Sequence, residues 1–159
     1  MLLAVCIVAS CKKTALISPE SIAAQLKIDT GIILQYIKDN GLEGKAKRVA
    51  DTIGVYYVVE NPGSGSSIYS NSTVVTVSDT AKLLTTQKVF SYTNEFHPSY
   101  TLGSVIRGWQ VGIPFIQPGG RIRLLVPSHY AYGPFPQSDL GLPANAVLDF
   151  DITLYAATN

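Results

Sequence analysis

Residues 105–109 read VIRGW, residues 127–133 read PSHYAYG and residues 147–151 read VLDFD. These three stretches dominate the C-terminal third of the chain, where they set large apolar and aromatic residues among glycines and prolines. None of them carries a metal-binding cluster, an acid–base dyad or a phosphate-binding loop. The pattern is typical of a pocket that binds an apolar ring by shape and orients it with a few polar groups.

Length and composition indicate one domain with a hydrophobic core. The chain has 159 residues, of which 47% are hydrophobic and 14% are charged, and its formal net charge is +1. So small a charge gives no electrostatic attraction for nucleic acid or an acidic membrane surface, and we expect no nucleic-acid partner. The two histidines, His97 and His129, have no cysteine or carboxylate at ligand spacing, so no metal site and no cofactor are expected.

Alternation of apolar and polar side chains predicts the sheet. Apolar residues recur at every second position in 121–126 and 148–154, with Arg121 and Arg123 between them in the first segment, which predicts two strands with one packed face and one solvated face. Their charged members should meet on the solvated face as oppositely charged pairs; these are Arg121, Arg123, Asp149 and Asp151. Runs of β-branched and aromatic residues predict further strands at 53–60, at 73–77 and near 88–92.

Two helices complete the predicted fold. Ser18 and Pro19 are a helix-start signal, and Asn40 with Gly41 is a stop signal, so an accessory helix is expected between them with a possible bend at Gly31. Residues 105–113 are expected to form a short helix across the apolar face of the sheet. The predicted class is α+β: a twisted antiparallel sheet of about five strands wrapped around one short helix, with the accessory helix in front.

The N-terminus resembles a bacterial lipoprotein signal. Residues 1–9 are an apolar run too short to span a bilayer, and small residues precede Cys11, which would become the acylated first residue. The usual basic residues before the apolar run are missing, and an apolar strand of a cytosolic protein is the alternative. Cleavage would remove Cys6, so no disulfide is expected. We expect a lipid anchor at Cys11 and a location in the cell envelope, on a periplasmic or outer membrane surface.

Residues 70–156 resemble the FKBP-type peptidyl-prolyl cis-trans isomerases. The resemblance rests on VIRGW at 105–109, YAYG at 130–133, LPANA at 142–146 and the final strand, which follow one another in the family's order. It implies isomerisation of X-Pro bonds in exported polypeptides by a monomer without a cofactor. The implied organisation is a signal peptide at 1–10, a tether at 11–17, a helical segment at 18–52 and an FKBP-like domain at 53–159.

The same resemblance implies roles for individual side chains. Trp109 would form the floor of the pocket and Tyr132 would offer its hydroxyl from the rim. Ile106 would contribute a wall and a backbone N–H for a substrate carbonyl. The remaining implied contacts are apolar: Val105, Phe90 and Phe150 as walls, Tyr100 as a further substrate contact and Leu142 over the opening.

Two positions depart from the family pattern. Val77 stands where the family usually has a tyrosine, and Ser91 stands where it has an aspartate that orients polar contacts in the pocket. Asp79 or Glu95 could supply that carboxylate from elsewhere. Two alternatives to an isomerase therefore remain: a catalytically weak module that binds proline-containing segments, and a scaffold lipoprotein of a cell-surface apparatus.

Overall fold

A twisted antiparallel sheet is the frame of the protein. The computed structural model describes residues 18–50 and 54–159, so the expected signal peptide, the tether and Cys11 lie outside the described residues. Within the described part, seven strands run in the order β1-β2-β6-β7-β3-β4, and β5 also pairs with β3. The strands are β1 (Lys47–Arg48), β2 (Tyr56–Asn61), β3 (Val74–Leu83), β4 (Val89–Tyr92), β5 (Ser99–Thr101), β6 (Arg121–Val126) and β7 (Leu148–Thr158).

The predicted class is confirmed, with more strands than expected. β1 and β5 have two and three residues, too few for any periodic pattern to be recognised. Two α-helices flank the sheet, α1 at Pro19–Asp39 and α2 at Arg107–Gly112. Four short 3-10 turns lie in the connections of the described chain.

β3 is twice as long as its sequence pattern suggests. The apolar run predicts a strand ending at Val77, but β3 continues through the polar residues 78–80 to Leu83. Its whole length pairs with β7, from Val74 opposite Thr158 to Leu83 opposite Leu148. The ladder of backbone hydrogen bonds therefore overrides the weak strand propensity of the polar residues. A tight turn at residues 84–88 then leads into β4.

α1 begins and ends where its signals place it. The Ser18 hydroxyl accepts a hydrogen bond from the backbone N–H of Ser21 at 3.2 Å, and Gly41 takes a left-handed φ of 63° after the last turn. The bend considered at Gly31 is absent, because the helix is continuous from Pro19 to Asp39. Gly31 lies on the exposed side of α1, where an added Cβ would meet no atom within 4 Å, so it has no packing role.

α2 crosses the inner face of the sheet at very short range. A Cβ on Gly108 would lie 2.5 Å from Cγ1 of Val126, and one on Gly112 would lie 2.6 Å from Cδ2 of Leu124. These two glycines, one helical turn apart on α2, therefore let its backbone rest directly on β6. Beside them, Trp109 and Ile113 enter the main hydrophobic core between α2 and the sheet.

The outer face of the sheet is only partly solvated. Ile33 and Ile37 of α1 pack there with Leu125 of β6 and form a second, smaller core. Asp149 was expected to face solvent, but it is 2% exposed because α1 lies over this part of the sheet. The expectation of a wholly solvated face was therefore wrong at the end of the sheet that α1 covers.

The expected charge pairs between β6 and β7 are confirmed. Arg121 pairs with Asp151 near solvent, and Arg123 pairs with Asp149 beneath α1 at 2.5 Å. Arg123 also donates to the Tyr36 hydroxyl of α1 at 2.5 Å, which links the helix to the sheet. The hydrogen bonds to Asp149 raise the pKa of the Arg123 guanidinium above its usual value.

The two arginines should differ in their contribution to stability. Replacing Arg123 with alanine leaves Asp149 buried without its partner and should lower the free energy of unfolding by about 3 kcal/mol. Arg121→Ala removes ion pairs with Asp151 and Glu60 that are open to solvent, and should lower it by at most about 1 kcal/mol. Urea unfolding of both variants measures the difference, and equal losses would contradict the unequal burial of the two pairs.

Candidate functional site

An apolar pocket lies between α2 and the inner face of the sheet. Its volume is 400 Å³, within the range of ligand-binding clefts. Seven of the residues singled out from sequence line it: Phe90, Tyr100, Val105, Ile106, Trp109, Tyr132 and Phe150. They come from separate strands, loops and α2, so the fold brings together residues up to 60 positions apart in sequence.

Four aromatic rings form the floor and walls of this pocket. The Trp109 ring meets Phe150 edge-on at 5.6 Å between centroids, and Phe150 meets Phe90 edge-on at 6.3 Å. Tyr100 contacts Trp109 in the same way at 6.1 Å. Edge-to-face contact is one of the arrangements that aromatic pairs prefer. The four rings therefore form a continuous aromatic surface that suits an apolar ring.

Trp109 forms the floor because α2 lies so close to β6. Its indole Nε1–H is buried and has no hydrogen-bond partner among the described residues. A buried donor without a partner destabilises a fold by about 1–3 kcal/mol. The ring is therefore held by packing against its neighbours and not by a polar contact.

Gln110 holds the wall formed by residues 105 and 106, a role that the sequence does not reveal. Its Nε2 donates to the Val105 carbonyl at 2.7 Å, and Arg107 donates to its Oε1 at 2.8 Å. No hydrogen bond within the described chain uses the backbone N–H of Ile106, which precedes the first turn of α2. This N–H is thus available to a bound carbonyl, as the resemblance implies.

The Tyr132 loop is anchored from the far side by α1. Asp29 of α1 is fully buried and accepts hydrogen bonds from the Ser128 N–H at 2.8 Å and the Ser128 hydroxyl at 2.6 Å. The Ser128 carbonyl in turn accepts from the N–H groups of Ala131 and Gly133, at 2.9 and 2.8 Å. Tyr132 therefore sits in a loop that is hydrogen-bonded on both sides, while its own hydroxyl has no partner in the described residues. Sequence reasoning missed Asp29, since nothing local to α1 relates it to residue 128.

Leu142 does not lie over the opening. It is 4% exposed and packs in the main core, while Leu140 lines the pocket instead. Backbone hydrogen bonds between Gln137 and Leu142 close a tight turn that directs Leu142 inward. The spacing from Tyr132 cannot distinguish these two leucines, because the turn decides which of them points to the pocket.

Asp79 brings a carboxylate into the pocket. It follows Val77 by two positions on β3 and lines the pocket together with Ala81 and Ser91. Of the two acids considered from sequence, Glu95 is not among the lining residues. Burial raises the pKa of the Asp79 carboxyl. The pKa of the Tyr132 hydroxyl is also raised, mainly by burial and to a smaller extent by the nearby charge of Asp79.

Asp79→Asn should raise stability at neutral pH. Below the ordinary pKa of 3.8, the carboxyl is protonated in both the folded and the unfolded states, and its ionisation does not affect folding. As pH rises past that value the unfolded state releases its proton first, because burial raises the pKa only in the folded state, and the wild type loses stability. Urea unfolding at about pH 3 and about pH 7 should show that the advantage of the asparagine variant grows with pH. A constant advantage, or a less stable variant at neutral pH, would contradict this account of Asp79.

Membrane-spanning helices and metal sites are both absent from the part of the chain that the structure describes. No helix there is long and apolar enough to cross a membrane. No three His, Cys, Asp or Glu side chains of residues 18–50 and 54–159 come together at a spacing suited to a metal ion.

The model of one protein family, the FKBP-type peptidyl-prolyl cis-trans isomerases, matches residues 65–155, which include the whole pocket lining. The chain belongs to this family. It is 37% identical over 97 residues to FK506-binding protein 1 of Saccharomyces cerevisiae, covering 59% of this chain and 84% of that protein. It is 32% identical over 132 residues to the isomerase FkpA of Buchnera aphidicola, covering 77% of this chain. The chain spans 52% of the length of that FkpA.

Solved structures of this FKBP family share the fold beyond the matched residues. A peptidyl-prolyl cis-trans isomerase from Pseudomonas syringae superposes with a TM-score of 0.71 at 26% identity, covering 86% of this chain and 96% of that one. FkpA from Escherichia coli superposes with a TM-score of 0.68 at 29% identity, covering 87% of this chain and 65% of that one. Because both matches cover more than the family region, they also extend into the N-terminal segment.

Proposed function

We propose that this FKBP-family protein is a peptidyl-prolyl cis-trans isomerase that acts on X-Pro bonds of exported polypeptides. The observation that supports the proposal most directly is the aromatic pocket, whose free polar groups include the Ile106 N–H, the Tyr132 hydroxyl and the Asp79 carboxylate. We also propose that the active form is a monomer.

The pocket can lower the isomerisation barrier without covalent chemistry. The barrier arises from amide resonance and is about 18–20 kcal/mol. In the transition state the amide is twisted and less dipolar than the planar form. Apolar walls therefore disfavour the planar ground state relative to the twisted state, which is differential binding. The proline ring would lie on Trp109, and the free N–H of Ile106 would orient a substrate carbonyl.

Removing the Tyr132 hydroxyl should weaken turnover while the fold remains intact. The side chain is half-buried at the pocket and its hydroxyl is free to donate to a substrate, so Tyr132→Phe should lose about 1 kcal/mol of transition-state stabilisation, the contribution of one neutral hydrogen bond. The assay is protease-coupled isomerisation of a short X-Pro peptide, with circular dichroism as the test of folding.

Tyr92→Phe is the matched control, since Tyr92 is 67% exposed and lies outside the pocket lining. Equal turnover by the wild type and Tyr132→Phe would show that the Tyr132 hydroxyl donates no hydrogen bond that matters for turnover. A wild type that binds X-Pro peptides without isomerising them would favour the weak binding module. Val77 and Ser91, the two departures from the family pattern, are the sequence features that favour this alternative. A wild type that does neither would favour the scaffold lipoprotein.

We further propose that Cys11 carries lipid and places the domain at a bacterial membrane in the cell envelope. The small residues before Cys11 support this proposal. In a bacterium with a lipoprotein pathway, Cys11→Ser should move the protein from the membrane fraction to the soluble fraction and remove the lipid mass. Cys6→Ser is the control and should leave the mature mass unchanged, because residue 6 would be cleaved away. An unmodified N-terminus from Met1 in the wild type would refute the anchor.

A further inference from the structure

Asp79 occupies an unusual position for a charged residue. Val77, Asp79 and Ala81 alternate along β3 and pair with Leu154, Ile152 and Phe150 of β7. The flanking members of this row are in the main hydrophobic core, and Val77 is fully buried. Asp79 is thus an acidic side chain in the row that faces the core, at the point where this row reaches the pocket. Aspartate rarely occupies such a position without a partner.

No partner for the Asp79 carboxylate exists within the described chain. Its backbone N–H donates to the Thr93 hydroxyl at 2.8 Å, but no hydrogen bond or ion pair reaches its side chain. The ionisable groups that feel its charge are the Tyr100 and Tyr132 hydroxyls of the pocket, and the charge raises the pKa of both. Burial of a carboxylate is unfavourable unless a cation or a donor offsets it. Because Asp79 is half-buried and lines the pocket, a bound ligand can reach its carboxylate and supply that group.

Charge complementarity indicates what that group is. The pocket lining comprises twelve residues, and Asp79 is the one that carries a charge. The other lining residues are apolar, aromatic or neutral, so none of them brings a positive charge to the carboxylate. A low-dielectric pocket with one uncompensated negative charge attracts a cation more strongly than a neutral group of the same size.

We propose that Asp79 makes the pocket selective for proline segments in which a lysine or arginine side chain lies next to the proline. This inference rests on the proposed function, since the pocket must first hold the proline ring. The ring would occupy the aromatic part of the pocket, and the neighbouring basic side chain would pair with Asp79 at the edge formed by β3. Asp79 is in this sense a specificity-determining residue, and Trp109 and Phe150 bind whichever proline is presented.

The test compares peptides that differ at one position. A set of tetrapeptides carries lysine, norleucine or glutamate immediately before the proline, and a second set carries the same residues immediately after it. Norleucine matches the lysine stem without its charge. Turnover is measured by NMR exchange between the cis and trans forms, and binding by titration calorimetry. With the wild type we expect lysine to be preferred over norleucine by about fivefold in one of the two positions, and glutamate to be the poorest.

Two variants test whether the preference for lysine peptides arises from Asp79. Asp79→Asn should reduce the lysine-to-norleucine ratio to near one, and it should remain folded because it replaces a half-buried, unpaired charge with a neutral side chain of the same shape. Asp139→Asn is the matched control: it removes the same charge from an exposed residue beside Leu140, outside the lining, and should retain the ratio. Added salt should lower the wild-type ratio and leave that of Asp79→Asn unchanged.

The outcomes separate this inference from the proposed function. Equal turnover of the lysine and norleucine peptides by the wild type would overturn the selectivity and support the isomerase. A lysine preference that persists in Asp79→Asn would also overturn it. If no peptide is turned over, the isomerase proposal fails, and calorimetry still decides the role of Asp79: tighter binding of lysine peptides that depends on Asp79 supports the inference, and equal binding refutes it.

Discussion

The close contact between α2 and β6 is the constraint on which the pocket depends. Gly108 and Gly112 lack the Cβ atoms that would collide with Val126 and Leu124, so the helix backbone rests on the strand itself. That short distance determines how deep Trp109 lies, and the edge-to-face contacts of Phe150 follow from the position of its ring. A bulkier residue at either glycine would lift α2 and change the depth of the pocket floor. The site is therefore a consequence of backbone packing as much as of its aromatic side chains.

The opposite face of the sheet supports the same pocket from behind. Buried Asp29 of α1 holds Ser128, whose carbonyl accepts hydrogen bonds on both sides of Tyr132. Arg123 connects α1 to the sheet through Tyr36 and Asp149. Because these contacts are buried and charge-assisted, removing one partner destabilises the fold more than removing a partner of an exposed pair. The accessory helix is thus part of the framework that holds the pocket rim, although it contributes no residue to the lining.

Local patterns predicted the elements whose periodicity is strong, and tertiary contacts decided the rest. The alternation in β6 and β7 gave their inner faces and their ion pairs, and Ser18 with Gly41 gave the ends of α1. The length of β3 could not be predicted from its sequence, because backbone hydrogen bonds to β7 keep the polar residues of β3 in the strand. The burial of Asp149 could not be predicted from the sequence either, because it depends on where α1 packs against the sheet. In the pocket, the spaced motifs predicted the aromatic walls. The inward direction of Leu142 and the hydrogen bond from Gln110 to the Val105 carbonyl depend on loop geometry, which has no sequence signal.

We expect the pocket above Trp109 to hold a proline ring. Trp109 is the single tryptophan of the chain, so its fluorescence reports on the pocket floor alone. The most direct measurement is a titration of the intact protein with an X-Pro peptide and with the same peptide carrying alanine in place of proline. We expect a saturable change in Trp109 emission with the proline peptide and a much weaker response to the alanine peptide. Equal responses to both peptides, or no response from a folded protein at saturating peptide, would contradict it.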